Sequence, residues 1–363
     1  MNFDLITNDE ELAECCEFFN TCEQLAIDTE FKRETTYYPK PCLVQIAGNQ
    51  RTVLVDPFNI QNFAPLKALF LNESITKILH AGRQDMEVFQ LMLSCLPTPV
   101  FDTQIAASLL GMPNQVGYSS LVKAFFEIEL DKTLTRTDWE KRPLKQDELN
   151  YAANDVEYLE TIYQKQKEEL EKLGRFTWLT EDVNQQLHEN LDDDALEKVW
   201  KKISRNPKLD QSQRNILFSL NQWREKEAIN RDRARQFILS NDVLIGLAFK
   251  QPSTLTELKN VDRIPKPAIH RYSEKLLEII NSEETQLLNI PEDTQNRLSP
   301  EESDLFKKLK SKVQEVAKEL KIEDTLICNR KTLESLARGN TDNKLLQGWR
   351  YEVVGQQLEP LLS

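Results

Sequence analysis

The run Leu25-Ala26-Ile27-Asp28-Thr29-Glu30-Phe31 constrains this chain more than any other stretch. Three apolar residues lead straight into two carboxylates that are one residue apart. Positions i and i+2 of a β-strand share a face, so Asp28 and Glu30 point the same way. Buried charge is costly unless something positive compensates it. A divalent cation is one solution, because Mg²⁺ takes oxygen ligands of this kind. The other is a strand end where both acids meet water or pair with Lys32 or Arg33.

Around this run the periodicity predicts a mixed α/β region. Leu43 to Ala47, Val53 to Val55 and Ile75 to Leu79 read as further buried strands. Helical patterns follow over 63–70, 83–93, 103–110 and 119–126. Three strands before the first helix suggest an antiparallel start. From 146 to 173 the apolar stripe Leu149, Ala152, Ala153, Val156, Leu159, Ile162 predicts one long helix or two abutting ones. An acidic segment over 186–206, with Asp192-Asp193-Asp194, reads as a hinge.

Beyond 207 no strand is expected. Helices are predicted over 211–230, 233–250, 254–259 and 265–281, then over 301–319, 331–338 and 342–361. A polar stretch with Pro291 and Pro300 separates the two groups. The division expected is 1–190, 207–283 and 299–363, one α/β domain and two small all-α domains. Trp223-Arg224 and Trp349-Arg350 hint weakly at a repeat between the last two.

The net charge of −13 argues at first against a nucleic-acid partner. The charge is uneven, however: −14 over 1–206, +4 over 207–280, −3 over 281–298 and 0 over 299–363. A polyanion could dock on the basic module while its end enters an acidic site that cations neutralise. On charge alone, ordinary solvated surface explains the same figures. The six cysteines, Cys15, Cys16, Cys22, Cys42, Cys95 and Cys328, form no CxxC pair and fit a reducing cytoplasm. No apolar run approaches the roughly 20 residues that span a bilayer, and no secretory leader is evident. With no dimerisation stripe, a monomer is expected.

Two further segments carry chemistry. His80-Ala81-Gly82-Arg83-Gln84-Asp85 reads as strand end, turn and helix start. Asp85 in a first helical turn suits the helix dipole as well as a metal. His80 is better explained as a hydrogen-bonded structural residue. In Tyr151-Ala152-Ala153-Asn154-Asp155-Val156, Tyr151 and Asp155 lie four apart on one helix face. Four carboxylates from separate elements could hold two metals for in-line cleavage of a phosphodiester. Tyr151, whose ordinary pKa is near 10, would position water rather than act as a simple base.

These motifs, with Thr36-Tyr37-Tyr38-Pro39, Leu43-Val44-Gln45-Ile46, Phe101-Asp102-Thr103-Gln104 and Thr137-Asp138-Trp139-Glu140-Lys141-Arg142-Pro143-Leu144, resemble the ribonuclease D family of DEDD exonucleases, in its tyrosine-bearing subclass. The helical region from Trp223-Arg224 through Leu258 is similar to the helicase-and-ribonuclease-D C-terminal domain, and 299–363 to a diverged copy. The resemblance implies a ribonuclease H-like 3′-5′ exonuclease domain with a mixed sheet. It implies Asp28, Glu30, Asp85 and Asp155 as ligands of two divalent ions, Mg²⁺ or Mn²⁺. Asp28 would bridge both ions, and Tyr151 would order the attacking water. The implied partner is RNA with a free 3′ end, chiefly transfer RNA precursors, trimmed to nucleoside 5′-monophosphates.

Some neighbours are weighed separately. Asp102 is expected to cap a helix. Trp139 and Arg142 could touch RNA or simply pack together. Phe31 and Gln45 could border the terminal nucleotide. Arg224, Arg231, Arg233 and Arg235 are expected to form an RNA-binding face. A DNA exonuclease, a binding adaptor and a helicase accessory protein are the alternatives. The chain has no GxxxxGK[ST] loop to make it a helicase itself.

Overall fold

Alternation along the strands explains the architecture. In the computed structural model, which describes residues 2–130, 134, 137–189, 199, 200, 202–204, 209–288 and 298–362, the chain divides into two compact units. The first comprises 1–32, 41–191 and 297–363, and the second 33–40 and 192–296. The acidic run at 192–194 lies outside the described residues.

The first unit is built on a six-stranded mixed sheet in the order β1-β4-β3-β2-β5-β6. Its elements run β1 (Asp4–Ile6), α1 (Asp9–Phe19), β2 (Gln24–Lys32), β3 (Lys40–Gly48), β4 (Arg51–Val55), α2 (Ala64–Leu71), β5 (Thr76–Leu79), α3 (Arg83–Leu93), β6 (Val100–Asp102), α4 (Thr103–Leu109), α5 (Tyr118–Phe126), α6 (Gln146–Glu157), α7 (Leu159–Lys172) and α8 (Phe176–Glu189). β3 and β4 are antiparallel, while β1 with β4, β2 with β5 and β5 with β6 are parallel.

The expected opening of three strands is therefore wrong. β1 and α1 come first, and β1 returns to the sheet edge beside β4. Only one residue of this three-residue strand is buried, so its apolar pattern is too short to stand out.

Leu25, Ile27, Val44, Ile46, Val53 and Val55 face one layer, against Leu12, Phe19, Leu66, Phe70 and Phe89 of α1–α3. Alternate positions face the other layer: Ala26, Ile78 and Phe101 pack with Leu159 and Tyr163. Leu43 and Leu54 pack with Leu149, Ala152 and Ala153. Asp28 and Glu30, in phase with Ala26, thus belong to the face crossed by α6. The predicted 146–173 helix is two abutting ones. At the break the Tyr118 hydroxyl accepts from Tyr158 N (3.2 Å) and donates to Asn154 O (3.0 Å).

The segment 298–362 is helical as expected but has no separate core. Leu309, Val313, Leu333, Leu336 and Trp349 join one cluster with Phe101, Leu170 and Leu179. Trp349 stacks on Trp178 at 4.6 Å and 10°. Its indole N–H and the Arg350 guanidinium both bind the Asp182 carboxylate. Gly348 (φ 51°) lets Trp349 N approach Glu181 (2.9 Å); a Cβ there would collide with that carboxylate. Trp349 and Arg350 thus dock this segment on α8.

The second unit has its own core of Leu217, Leu220, Leu244, Leu247, Leu258 and Leu276. The predicted helix over 233–250 is two, Arg235–Ile238 and Asn241–Lys250, the latter capped by Ser240. The 33–40 loop, which continues from β2, is part of this unit. Tyr37 N and Tyr38 N donate to Asp232, and the Tyr37 hydroxyl donates to Glu225. Arg235 lies over the Tyr37 ring at 4.8 Å.

Trp349→Ala should destabilise the first unit by about 3–5 kcal/mol, the usual cost of truncating a fully buried Trp. Urea unfolding followed by fluorescence would show the loss. A change below about 0.5 kcal/mol, typical of a surface site, would contradict the docking role.

Candidate active site

β2 is an interior strand, so Asp28 and Glu30 cannot escape to a sheet edge. Asp85 comes from the first turn of α3, a helix with no side-chain N-cap. The preceding turn needs Ala81 at φ 57°, a conformation uncommon outside glycine. Asp102 holds it there. Its carboxylate accepts from Ala81 N (3.3 Å) and Gly82 N (2.9 Å), and from Gln104 N and Ile105 N at the start of α4. Asp102 is the helix cap expected, and it also secures the turn that delivers Asp85. Asp155 comes from α6, with Tyr151 one turn earlier on the same helix.

The structure brings the four carboxylates into mutual electrostatic reach. Burial, then Asp85, Asp155 and Glu30, pushes the Asp28 carboxyl well above the usual range. Burial, Asp155 and Asp85 push Glu30 up to about 9. Burial and Asp85 raise Asp155 to about 7. Asp85 rises to about 6, burial outweighing the hydroxyl of Thr29, which donates to its Oδ1. The charges acting on each acid are other carboxylates. Such a set, all oxygen donors with like charges crowded together, is suited to divalent cations. Among the described residues no three His, Cys, Asp or Glu side chains stand as a ready-made metal cage.

Other expectations sort differently. His80 is structural: its ring nitrogens contact Thr103 Oγ1 (2.9 Å) and Val116 O (3.0 Å), and burial lowers its pKa. Gln45 is fully buried with no hydrogen-bond partner for either amide atom among the described residues, so it borders no open surface. Phe31 is partly buried. Trp139 is 6% exposed and packs against Tyr151, with centroids 6.2 Å apart.

The expected arginine face is divided: Arg231 and Arg233 are exposed, Arg235 is half-buried and Arg224 is buried. Arg224 is 1% exposed and binds Leu239 O, Asn241 and Asn221. Arg235 is tied to Glu225, and Arg231 to Glu227. A polar residue on an amphipathic helix looks the same in sequence whether it faces water or plugs a core.

Sequence reasoning missed Thr29 and Tyr118. Tyr118 sits near enough to Asp155 and Asp28 for their charge to help burial raise its pKa. No periodicity marks either residue. The only signal for Thr29 is its place between the two acids.

Residues 3–171 match the family described as 3′-5′ exonuclease, and 213–280 match the HRDC domain. The chain is 35% identical to ribonuclease D of Cronobacter turicensis, covering 99% of this chain and 100% of that one. It is 34% identical to ribonuclease D of Escherichia coli K12, covering 100% and 99%. The crystal structure of Escherichia coli RNase D superposes with a TM-score of 0.89 at 34% identity, over 100% of this chain and 99% of that one. The chain belongs to the ribonuclease D family. It is an exoribonuclease with a 3′-5′ exonuclease domain and an HRDC domain. Ribonuclease D membership also implies dependence on divalent metal, which the crowded acids fit.

The raised carboxylates set a pH dependence. Their folded values of about 6, 7 and 9 lie above the ordinary range near 4. The folded chain without added metal therefore keeps protons that the unfolded chain has lost. The stability linked to them is full below about pH 4 and falls as pH rises through the folded values. In chelator at pH 8, Asp28→Asn should melt above wild type, by about 2–4 °C per kcal/mol relieved. The gap should close toward pH 5. A variant that melts below wild type at pH 8 would contradict the crowding.

Proposed function

We propose that this exoribonuclease trims 3′ extensions of transfer RNA precursors and other small structured RNAs, releasing nucleoside 5′-monophosphates by a two-metal-ion mechanism. The observation that carries the reading is the crowding of four carboxylates from β2, α3 and α6. The Escherichia coli relative is described as an exoribonuclease involved in structured RNA processing, which supports the substrate class.

Asp28, Glu30, Asp85 and Asp155 would hold two divalent ions, Mg²⁺ or Mn²⁺. Bound there, the ions would ease deprotonation of water and offset charge on the phosphoryl group. Tyr151 orients the water toward the terminal phosphorus. The water oxygen bonds to phosphorus while the bond to the upstream 3′-oxygen breaks. One water proton ends on that oxygen, leaving a shortened 3′-hydroxyl and a free 5′-monophosphate. Thr29 keeps Asp85 aligned throughout by its hydroxyl.

The HRDC domain contributes RNA affinity through a narrower set of residues than the sequence suggests. Arg233 is exposed, and its guanidinium lies 5.8 Å from the ring of exposed Phe237. Arginine and aromatic faces of this kind suit backbone contact and base stacking. The free thiols fit a reducing cytoplasm, and no helix among the described residues is long and apolar enough to cross a membrane. The enzyme acts as a monomer in this reading.

The test is a 3′-extended transfer RNA labelled at its 5′ end, with a matched DNA strand. Wild type should shorten the RNA stepwise with Mg²⁺ or Mn²⁺ and stop in EDTA. Asp28→Asn should be slower by at least about a hundredfold, the scale of losing one preorganised electrostatic group. RNA that is bound but never shortened, or DNA shortened equally well, would count against the proposal.

A further inference from the structure

Arg142 is only partly exposed, and its guanidinium turns inward. All five N–H groups of its guanidinium are spent on the first unit's own atoms. Two grip the Asp56 carboxylate at the end of β4 (2.5 and 3.0 Å). One reaches Cys42 O in β3 (2.6 Å), and two reach Trp139 O (2.7 Å) and Lys141 O (2.9 Å). Its face covers the Phe58 ring at 4.3 Å. Asp56 is 6% exposed and the Arg142 side chain 26%, so this is a half-buried, bidentate ion pair. No donor remains for a phosphate.

The bonds run between two places. Cys42 belongs to the sheet and Asp56 directly follows β4, whereas Trp139 and Lys141 belong to the connection that leads into α6. A second tie reinforces this connection: Lys32 Nζ, at the end of β2, meets Asp138 (2.9 Å) and Glu140 (3.2 Å). Trp139 is thereby fixed in backbone position, and its buried indole lies at 35° to the Tyr151 ring. Leu149, Ala152 and Ala153, the α6 residues around Tyr151, pack in the same cluster.

We infer that Arg142 and Trp139 are positioning residues for hydrolysis: the guanidinium pins the 139–141 backbone to the sheet, and the Trp139 indole then walls the Tyr151 ring into its working orientation. This rests on Tyr151 ordering the water, as proposed above. Lysine cannot replace Arg142, because one ammonium cannot span a carboxylate and three carbonyls in this fork. Small misplacement of a positioning group costs rate rather than binding.

The experiment is a double-mutant cycle on the full chain with 3′-extended RNA and Mg²⁺. The variants are Arg142→Lys, Trp139→Phe and Tyr151→Phe, with each of the first two also combined with the third. Melting temperatures are recorded alongside, and Trp139→Phe carries the cycle if Arg142→Lys does not fold. Tyr151→Phe alone should lower kcat by at least about tenfold. Arg142→Lys and Trp139→Phe should each lower kcat about tenfold with KM unchanged. In the Tyr151→Phe background neither should matter further. Equal losses in both backgrounds, or a rise in KM with kcat intact, would overturn the inference while leaving the Tyr151 reading in place. A Tyr151→Phe enzyme of full activity would remove that reading and this inference with it.

Discussion

Carboxylate crowding on one interior strand is the constraint from which the rest of the first unit follows. β2 must put Asp28 and Glu30 on the face that α6 crosses, because Leu25 and Ile27 are committed to the opposite layer. α3 and α6 then add two more acids to the same place. Among the described residues no cation offsets that charge. Burial and the neighbouring carboxylates instead push these carboxyls up, which is an unfavourable arrangement for a chain selected for stability alone. Its physical sense is a site completed by divalent ions.

Much of the surrounding structure holds this arrangement in place. Asp102 fixes the positive-φ turn before Asp85, the Thr29 hydroxyl ties β2 to α3, and Tyr118 splints the α6–α7 break beside Asp155. The C-terminal helices share a core with the exonuclease elements through Trp349 and Arg350 and so extend the scaffold. The loop after β2 belongs to the HRDC-containing unit, where Tyr37 bonds Glu225. The strand that carries two of the four acids is therefore continuous in sequence with a loop built into the helical unit.

Spacing made shared faces legible in the sequence, and the chemistry was legible only from the three segments together and their resemblance to the ribonuclease D family. Asp28 and Glu30 two apart on a strand, and Tyr151 and Asp155 four apart on a helix, each predict a shared face. The strands around them were readable for the same reason. What stayed hidden depended on burial and partners. Arg142, Arg224 and Arg350 are charged residues that sequence places on surfaces, yet each turns its guanidinium onto carbonyls and side chains inside a unit. β1 was invisible because three residues carry no periodicity, and α1 went with it. The fusion of 298–362 to the exonuclease core was hidden because a helix pattern records which face is apolar, not what covers it.

The central claim is that the four carboxylates form a metal centre. Crystals grown with Mn²⁺ and a short RNA, examined by anomalous diffraction, would test it most directly. The account predicts two manganese peaks, with oxygens of Asp28, Glu30, Asp85 and Asp155 around them, and none in an Asp28→Asn crystal. Manganese bound elsewhere, or no peak among these acids with RNA ordered in the site, would contradict it.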